Sequence, residues 1–336
     1  MTGAILARTG FNRKTALATA TMTLAAEAPD LDVFWSFKGP VVGFAHHRGF
    51  THSFVGLIVV SAVVTGFMYL VWRLRGRRTN LPNLPPRWGV LFLFAYVAGL
   101  SHILLDYTNN YGVRPFWPFW EKWYSWGVAF IVEPPILIIL LMGLGLPSVL
   151  SRLNRSRGPR ASAAARFALV CVVGLWTFRA YEATRIVRAL KSEKFNSEAP
   201  QRVSAYPYWT LVSRWHVGFR WSAVIETPSS FVTSDVTPAG KLYTLEEAIY
   251  PKPAETPAIF VAKRSYLGRV YLDWAQYPLV SAVAEGEHTV VYFHDLRFGY
   301  AEIGRRNLLG ASVTLDRNLH IIAEAMGPRQ QVPPLD

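Results

Sequence analysis

Ser101-His102-Ile103-Leu104-Leu105-Asp106-Tyr107-Thr108-Asn109-Asn110-Tyr111-Gly112 closes an apolar run that begins near Trp88. His102 and Asp106 stand four residues apart, a spacing that stacks both side chains on one face of a helix. A carboxylate at the end of a membrane-length apolar segment is costly unless something pairs with it. The stretch therefore predicts a membrane helix whose last turn offers two metal-binding groups and needs a partner for Asp106.

The rest of the composition agrees with a membrane setting. Hydrophobic residues make up 51% of the 336 and charged residues only 17%, below the usual quarter. Such a balance implies a membrane protein with a soluble portion. A formal charge of +13 would suggest nucleic acid in a soluble protein. Here the basic residues fall in short loops between apolar runs, so the positive-inside rule accounts for them and no nucleic-acid partner is expected. The single Cys171 excludes an intramolecular disulfide and a thiolate metal cluster, and reads as a small packing residue.

Outward from the opening stretch, Phe54 to Trp72 carries no charge and predicts a spanning helix, with Thr51 or Ser53 as its N-cap. A second span runs from Trp88 to about Leu105, a third from Gly127 to Leu150 with Glu133-Pro134-Pro135 near its start, and a weaker fourth from Ala161 to Phe178. Thr15 to Ala26 is a small-residue run, too short to span easily and suited to close packing, which Pro29 ends. Trp117, Trp120, Trp123 and Trp126 read as an interfacial belt.

Arginine placement gives an orientation. Arg8, Arg13 and Lys14, then Arg73, Arg75, Arg77, Arg78 and Arg87, then Arg152, Arg155, Arg157 and Arg160 should share the cytoplasmic side. The N-terminus is then cytoplasmic, and Asp30, Asp32, His47, His52, His102, Asp106 and Glu133 fall toward the outer face.

After Arg179 charges become frequent and no run is long enough to span. A helical Arg179 to Lys194 should lead into short β-prone segments at Arg220 to Thr227, Ala258 to Ala262, Thr289 to His294 and Ala311 to Leu315. Turn signals stand at Thr237-Pro238-Ala239-Gly240 and Glu285-Gly286-Glu287. The expected fold class is a mainly α polytopic membrane domain of four to five helices over 1–178. A strand-rich α+β soluble domain follows over 179–336, placed extracytoplasmically, its role and any protein partner left open. His216, His288, His294, Asp295 and His320 lack ligand spacing and read as structural or surface residues.

Histidine and carboxylate are the usual ligands of Zn²⁺ in hydrolytic sites, and of Mn²⁺ or Fe²⁺ in related ones. The expected ligands are His47, His52, His102 and Asp106, with Asp30 as a further one, around one or two divalent ions. Asp32 or Glu133 could be the base or bind a second ion. Arg48 and Arg114 could hold an anionic group such as phosphate.

Pro29-Asp30-Leu31-Asp32, then His47-Arg48-Gly49-x-Thr51-His52-Ser53, then His102-x3-Asp106-x-Thr108-x3-Gly112 with Trp117-Pro118-Phe119, resemble the YdjM-like family of inner-membrane metal-dependent hydrolases. Phe130-Ile131-Val132-Glu133-Pro134 looks like that family's later acidic position, where Asp is frequent and Glu is a departure. The resemblance covers about residues 15–150. It implies a bacterial inner (plasma) membrane location and a metal site more firmly than a reaction.

The expected function is metal-dependent hydrolysis of an ester or phosphoester in an amphiphilic, lipid or lipid-linked substrate at the outer membrane–water interface. Two alternatives stay open: a non-catalytic membrane protein with a structural metal and a partner-binding soluble domain, and a proton-coupled transporter.

Overall fold

The computed structural model describes residues 1–76, 84–153, 161–210, 218–242, 248–299 and 309–327. Arg77, Arg78, Pro82, Arg155, Arg157, Arg160 and His216 lie outside the described residues. The chain divides into two compact units. The first comprises Met1–Phe34, His46–Trp126 and Ile131–Phe178; the second comprises Trp35–Ala45, Gly127–Phe130 and Arg179–Asp336.

The first unit is helical. Helices α1 (Thr2–Arg8) and α2 (Ala18–Glu27) form an antiparallel hairpin that ends with the Met1 amine 2.8 Å from Glu27 Oε1. At the hairpin's turn Thr15 Oγ1 accepts the Arg87 N–H at 2.8 Å, which sets the basic turn level with the start of a later helix. Pro29 lacks the N–H that an α-helix needs, and the chain tightens into the 3₁₀ segment Ala28–Lys38. The stretch Trp35–Ala45, which counts with the second unit, holds most of a short α3 (Pro40–His46); in the first unit a 3₁₀ turn, Phe50–His52, leads into α4 (Phe54–Leu74). Ser53 caps α4, its Oγ accepting the Gly56 N–H at 2.9 Å.

Helix α5 (Trp88–Thr108) contains the opening stretch and runs three residues past the expected Leu105. The small residues Ala18, Ala25 and Ala26 of α2 let it pack closely on Leu91, Phe94, Ala95 and Ala98 of α5. A Cβ on Gly99 would lie 2.7 Å from Leu57 Cδ2, so that glycine lets α4 and α5 approach.

The third apolar helix, α6 (Pro134–Leu153), begins seven residues later than the expected Gly127. Pro134 and Pro135 fit only a first helical turn, where no N–H partner is required. Helix α7 (Ala161–Lys191) is continuous, so the fourth span and the helix expected after Arg179 are one element. Ile136 and Leu140 of α6 meet Ala165, Ala168 and Val172 of α7 around Ile5. Among the described residues, α4, α5 and α7 are long and apolar enough to cross a membrane, and the apolar part of α6, Pro134–Leu150, is shorter.

The second unit holds two antiparallel four-stranded meanders. One is β1 (Arg202–Thr210), β2 (Gly218–Glu226), β3 (Ser230–Val236) and β4 (Ala248–Pro251); the other is β5 (Pro278–Glu285), β6 (His288–Asp295), β7 (Ala311–Leu315) and β8 (Ile321–Met326). Ile186 and Leu190 at the end of α7 pack with Val203, Ala205, Trp221 and Ile225 of the first sheet. Tyr206 and Val224 of that sheet share a core with Leu279 and Leu296 from around the second. In sequence between β4 and β5 come α8 (Pro257–Arg264) and α9 (Tyr266–Trp274), which pack on the second sheet. Ala258 to Ala262, expected as a strand, is thus helical. Thr256 accepts the Ile259 N–H at 3.2 Å and Pro257 stands at the first turn, a start signal that outweighs the β-propensity of Ile259-Phe260-Val261.

Candidate metal centre

Three segments of the first unit converge at one end of α4 and α5. The 3₁₀ segment after α2 brings Asp30, the 3₁₀ turn before α4 brings His52, and the last two turns of α5 bring His102 and Asp106. The turn carrying His52 folds tightly against α4, because a Cβ on Gly56 would fall 1.7 Å from Phe50 O. Only glycine admits that approach.

One ligand atom from each of these four residues lies within 4.8 Å of the others. His52 Nε2 is 3.2 Å from His102 Nε2. Asp30 Oδ1 is 3.4 Å from His52 Nε2 and 3.3 Å from His102 Nε2. Asp106 Oδ2 is 3.3 Å from both. Tetrahedral ligands at about 2.0–2.1 Å from an ion are separated by about 3.3–3.4 Å, which these five distances match. Asp106 Oδ2 is also buried, makes no hydrogen bond of good geometry, and faces the two imidazole nitrogens, an arrangement that an ion between them would satisfy. Two carboxylates and two neutral imidazoles supply a charge suited to a divalent cation. Asp30, His52, His102 and Asp106 could therefore bind a metal ion.

Asp32 stands behind this group. It is buried, with Oδ2 3.2 Å from His52 Nδ1 and Oδ1 3.1 Å from His47 Nδ1. A carboxylate on the far nitrogen of a ligating histidine fixes the ring and its tautomer. Burial opposes ionisation of both Asp30 and Asp32, yet the facing histidines hold both carboxyls well below the usual range. Burial likewise opposes charge on His52, but the carboxylates of Asp106, Asp30 and Asp32 hold it up to about 10. Ion binding at His52 thus displaces a proton.

The structure sets His47 apart from the four-atom group. It presents Nδ1 to Asp32, keeps its side chain about a third exposed, and meets Tyr111 edge-on at 5.3 Å. Arg48 is buried and spends its guanidinium on the protein. Nη2 is 2.9 Å from Asp106 Oδ1, while Nη1 donates to Gly112 O at 2.9 Å and Asn109 Oδ1 at 3.2 Å. Its backbone is left-handed, φ 53°, and its N–H donates to Asp32 Oδ2 at 2.7 Å. Arg114 is buried, donates to His47 O at 3.3 Å and lies over Trp123. Glu133 is buried at the start of α6 and does not join the four-residue group.

Asn109 was not among the expected residues. Its Oδ1 accepts the Tyr111 and Gly112 N–H groups as well as Arg48 Nη1. The signal for it is turn chemistry, an Asn one residue past the helix end and three before a glycine.

The family described as YdjM inner membrane protein matches residues 1–186. The uncharacterized protein YfhP of Bacillus subtilis (strain 168) is 30% identical over 125 residues, which is 37% of this chain and 35% of that protein. The chain thus covers about a third of that relative's length. No solved structure matches.

Proposed function

The chain belongs to the YdjM inner membrane protein family, and from that premise we propose that it is a membrane-bound metal-dependent hydrolase of an ester or phosphoester. The observation that carries this reading is the asymmetry of the four-residue group. The His52 side chain is 0% exposed and those of His102 and Asp106 are 11% and 12%, whereas Asp30 is 55% exposed. Three ligands are buried or nearly so and one faces outward, so a substrate or water has a side from which to arrive. Catalytic zinc sites have three protein ligands and an open fourth position, which this group would offer where water or substrate takes the place of the exposed Asp30.

Zinc is the first choice of ion, with manganese or iron as alternatives. When bound, the ion would supply Lewis acidity, polarising the ester or phosphoryl oxygen and acidifying water. The chain's own groups do the rest. Asp32 holds the ring of His52 in place. In this reading His47, hydrogen-bonded to Asp32 and partly open to solvent, takes a proton from the attacking water and returns it to the leaving alcohol. In the reaction the water oxygen bonds to the carbonyl carbon or phosphorus, and the bond to the ester oxygen breaks. In this reading Arg48, ion-paired with Asp106, holds that ligand in place.

By the positive-inside rule we place the basic turn between α1 and α2, with Arg87, on the cytoplasmic side. The metal group and the chain after α7 then face outward. A proton-coupled transporter is the weaker reading, because transport sites lie near the bilayer midplane. His102 stands fourteen residues after Trp88, about 21 Å along the helix.

A structural metal is the second reading, favoured by the presence of four protein ligands. Asp30→Asn separates the two. The hydrolase reading expects the purified full chain in detergent to keep most of its bound metal and to lose hydrolysis of p-nitrophenyl acetate and bis-p-nitrophenyl phosphate. Absence of hydrolysis by the zinc-, manganese- and iron-loaded wild type would leave the structural reading standing.

A further inference from the structure

The geometry points to a bilayer-resident lipid as the substrate, reaching the metal group sideways from the membrane over an apolar lip formed by Leu31, Val33 and Phe34. This rests on the hydrolase reading for its chemistry, but the placement of the lip stands on its own observations.

The first is depth. Helices α4 and α5 are 21 residues each, about 31 Å long, close to the roughly 30 Å thickness of a bilayer's hydrocarbon. Counted from Trp88, His102 and Asp106 lie about 21 and 27 Å along α5. His52 stands two residues before α4 begins. The group therefore sits at the boundary of hydrocarbon and headgroup, the level at which a glycerolipid carries its ester and phosphodiester bonds.

The second is the direction of opening. Asp30 is the exposed ligand, and the residues that follow it are apolar and exposed: Leu31 at 56%, Val33 at 59% and Phe34 at 57%. An aqueous mouth bordered by three large apolar side chains would cost about 25 cal/mol for each Å² left in water. Contact with lipid removes that cost.

The third is continuity with the lipid-facing surface of the spans. Val55, Ile58 and Val59 are exposed on the first turns of α4, directly after the turn that carries His52. On the loop after α5, Phe119 and Trp120 are exposed, and neighbouring Phe116 meets Phe54, the first residue of α4, edge-on at 5.4 Å. The exposed apolar residues at the start of α4 thus adjoin, through Phe54 and Phe116, the loop that carries exposed Phe119 and Trp120. Aromatic residues at the end of a span mark the membrane interface, and the occupant that fits the whole surface is the lipid leaflet itself.

The test has two arms, both on the full chain in proteoliposomes. In a Cys171→Ala background, Leu31→Cys and Phe34→Cys carry a bimane label, with Glu287→Cys as an exposed control on the second unit. Phosphatidylcholine brominated on its acyl chains should quench the label at 31 and 34 at least threefold more than at 287, and aqueous iodide should do the reverse. Iodide quenching at 31 and 34 without bromolipid quenching overturns lipid entry whatever the activity. In the second arm, Leu31→Asp and Phe34→Asp should lower by about tenfold the ratio of turnover of a dioleoyl p-nitrophenyl phosphodiester in vesicles to turnover of bis-p-nitrophenyl phosphate in water. An unchanged ratio overturns the proposal. Bromolipid quenching with no turnover of either compound overturns the hydrolase reading and its substrate, and leaves the lip in the bilayer.

Discussion

Arg48 Nη2 lies 2.9 Å from Asp106 Oδ1, and this contact turns the other carboxylate oxygen, Oδ2, toward the two histidine nitrogens. It answers the question raised by a carboxylate at the end of an apolar helix. Asp106 is shared between an arginine on one oxygen and the metal group on the other. Arg48 accepts a left-handed backbone to do this, a strain of order 1 kcal/mol for a side-chain-bearing residue.

Arg48→Lys keeps one positive charge but lacks the planar fork that reaches Asp106 Oδ1, Asn109 Oδ1 and Gly112 O together. The expected outcome is a folded protein whose metal affinity falls about 10–100-fold, as for other groups that hold a ligand in place. Arg48→Ala leaves a buried carboxylate without its arginine and should destabilise the first unit by about 3–5 kcal/mol. Metal titration of the Lys variant, with thermal unfolding of both, checks the pair. Unchanged affinity in Arg48→Lys would remove Arg48 from any positioning role.

The division between His47 and the four-residue group predicts a graded response to removing histidines. His52→Ala and His102→Ala should each lose nearly all bound metal. His47→Ala should retain at least half, while hydrolysis falls about 10²–10⁴-fold as expected for loss of a proton-transfer group. Metal content by mass spectrometry, measured beside turnover, distinguishes the three. Loss of metal in His47→Ala equal to that in His102→Ala would make His47 a ligand.

Gly56→Ala should damage the site without touching a ligand. The new Cβ would overlap Phe50 O, and the turn bearing His52 must shift to relieve it. Overpacking of this kind costs about 1–3 kcal/mol, and displacement of His52 should weaken metal binding at least tenfold. Gly66→Ala, on the same helix with open space at its Cβ, is the control and should change neither.

Much of the first unit was legible because a membrane span is written in one dimension, as a run of apolar residues. Phe54 to Trp72 and the run ending at Asp106 could be read directly, and Ser53 announced its own cap. The four residues of the metal group were legible for a different reason: His and Asp at helix ends in an apolar chain have few structural uses. What stayed hidden was three-dimensional. The spacing of His47 and His52 does not show that His47 Nδ1 meets Asp32, nor that Arg48 between them has a left-handed backbone. For Arg48 the sequence shows a charge and not its contacts with Asp106, Asn109 and Gly112. In the second unit, Ile259-Phe260-Val261 has strand propensity, yet Thr256 and Pro257 start a helix there. Local capping won over composition, and the sheet partners that might have decided otherwise are distant in sequence.

His294, on β6 of the second unit, makes stability depend on pH. Its side chain is fully buried, neither ring nitrogen has a hydrogen-bond partner, and the ring stacks on Tyr292 at 6.2 Å. Burial disfavours the charged form and pushes its pKa down to about 4 from 6.5. Between those values the unfolded chain binds the proton and the folded one does not, so stability rises with pH across that window. The contribution is fully present above about pH 6.5 and is lost as pH falls toward 4, to a total of about 3 kcal/mol. His294→Phe, similar in shape and without a proton to take, should flatten this acid limb while leaving stability at pH 7.5 within about 1 kcal/mol. Denaturant midpoints of the strand signal at pH 7.5 and 4.5 measure it. An equal acid loss in wild type and variant would place the sensitivity on another group.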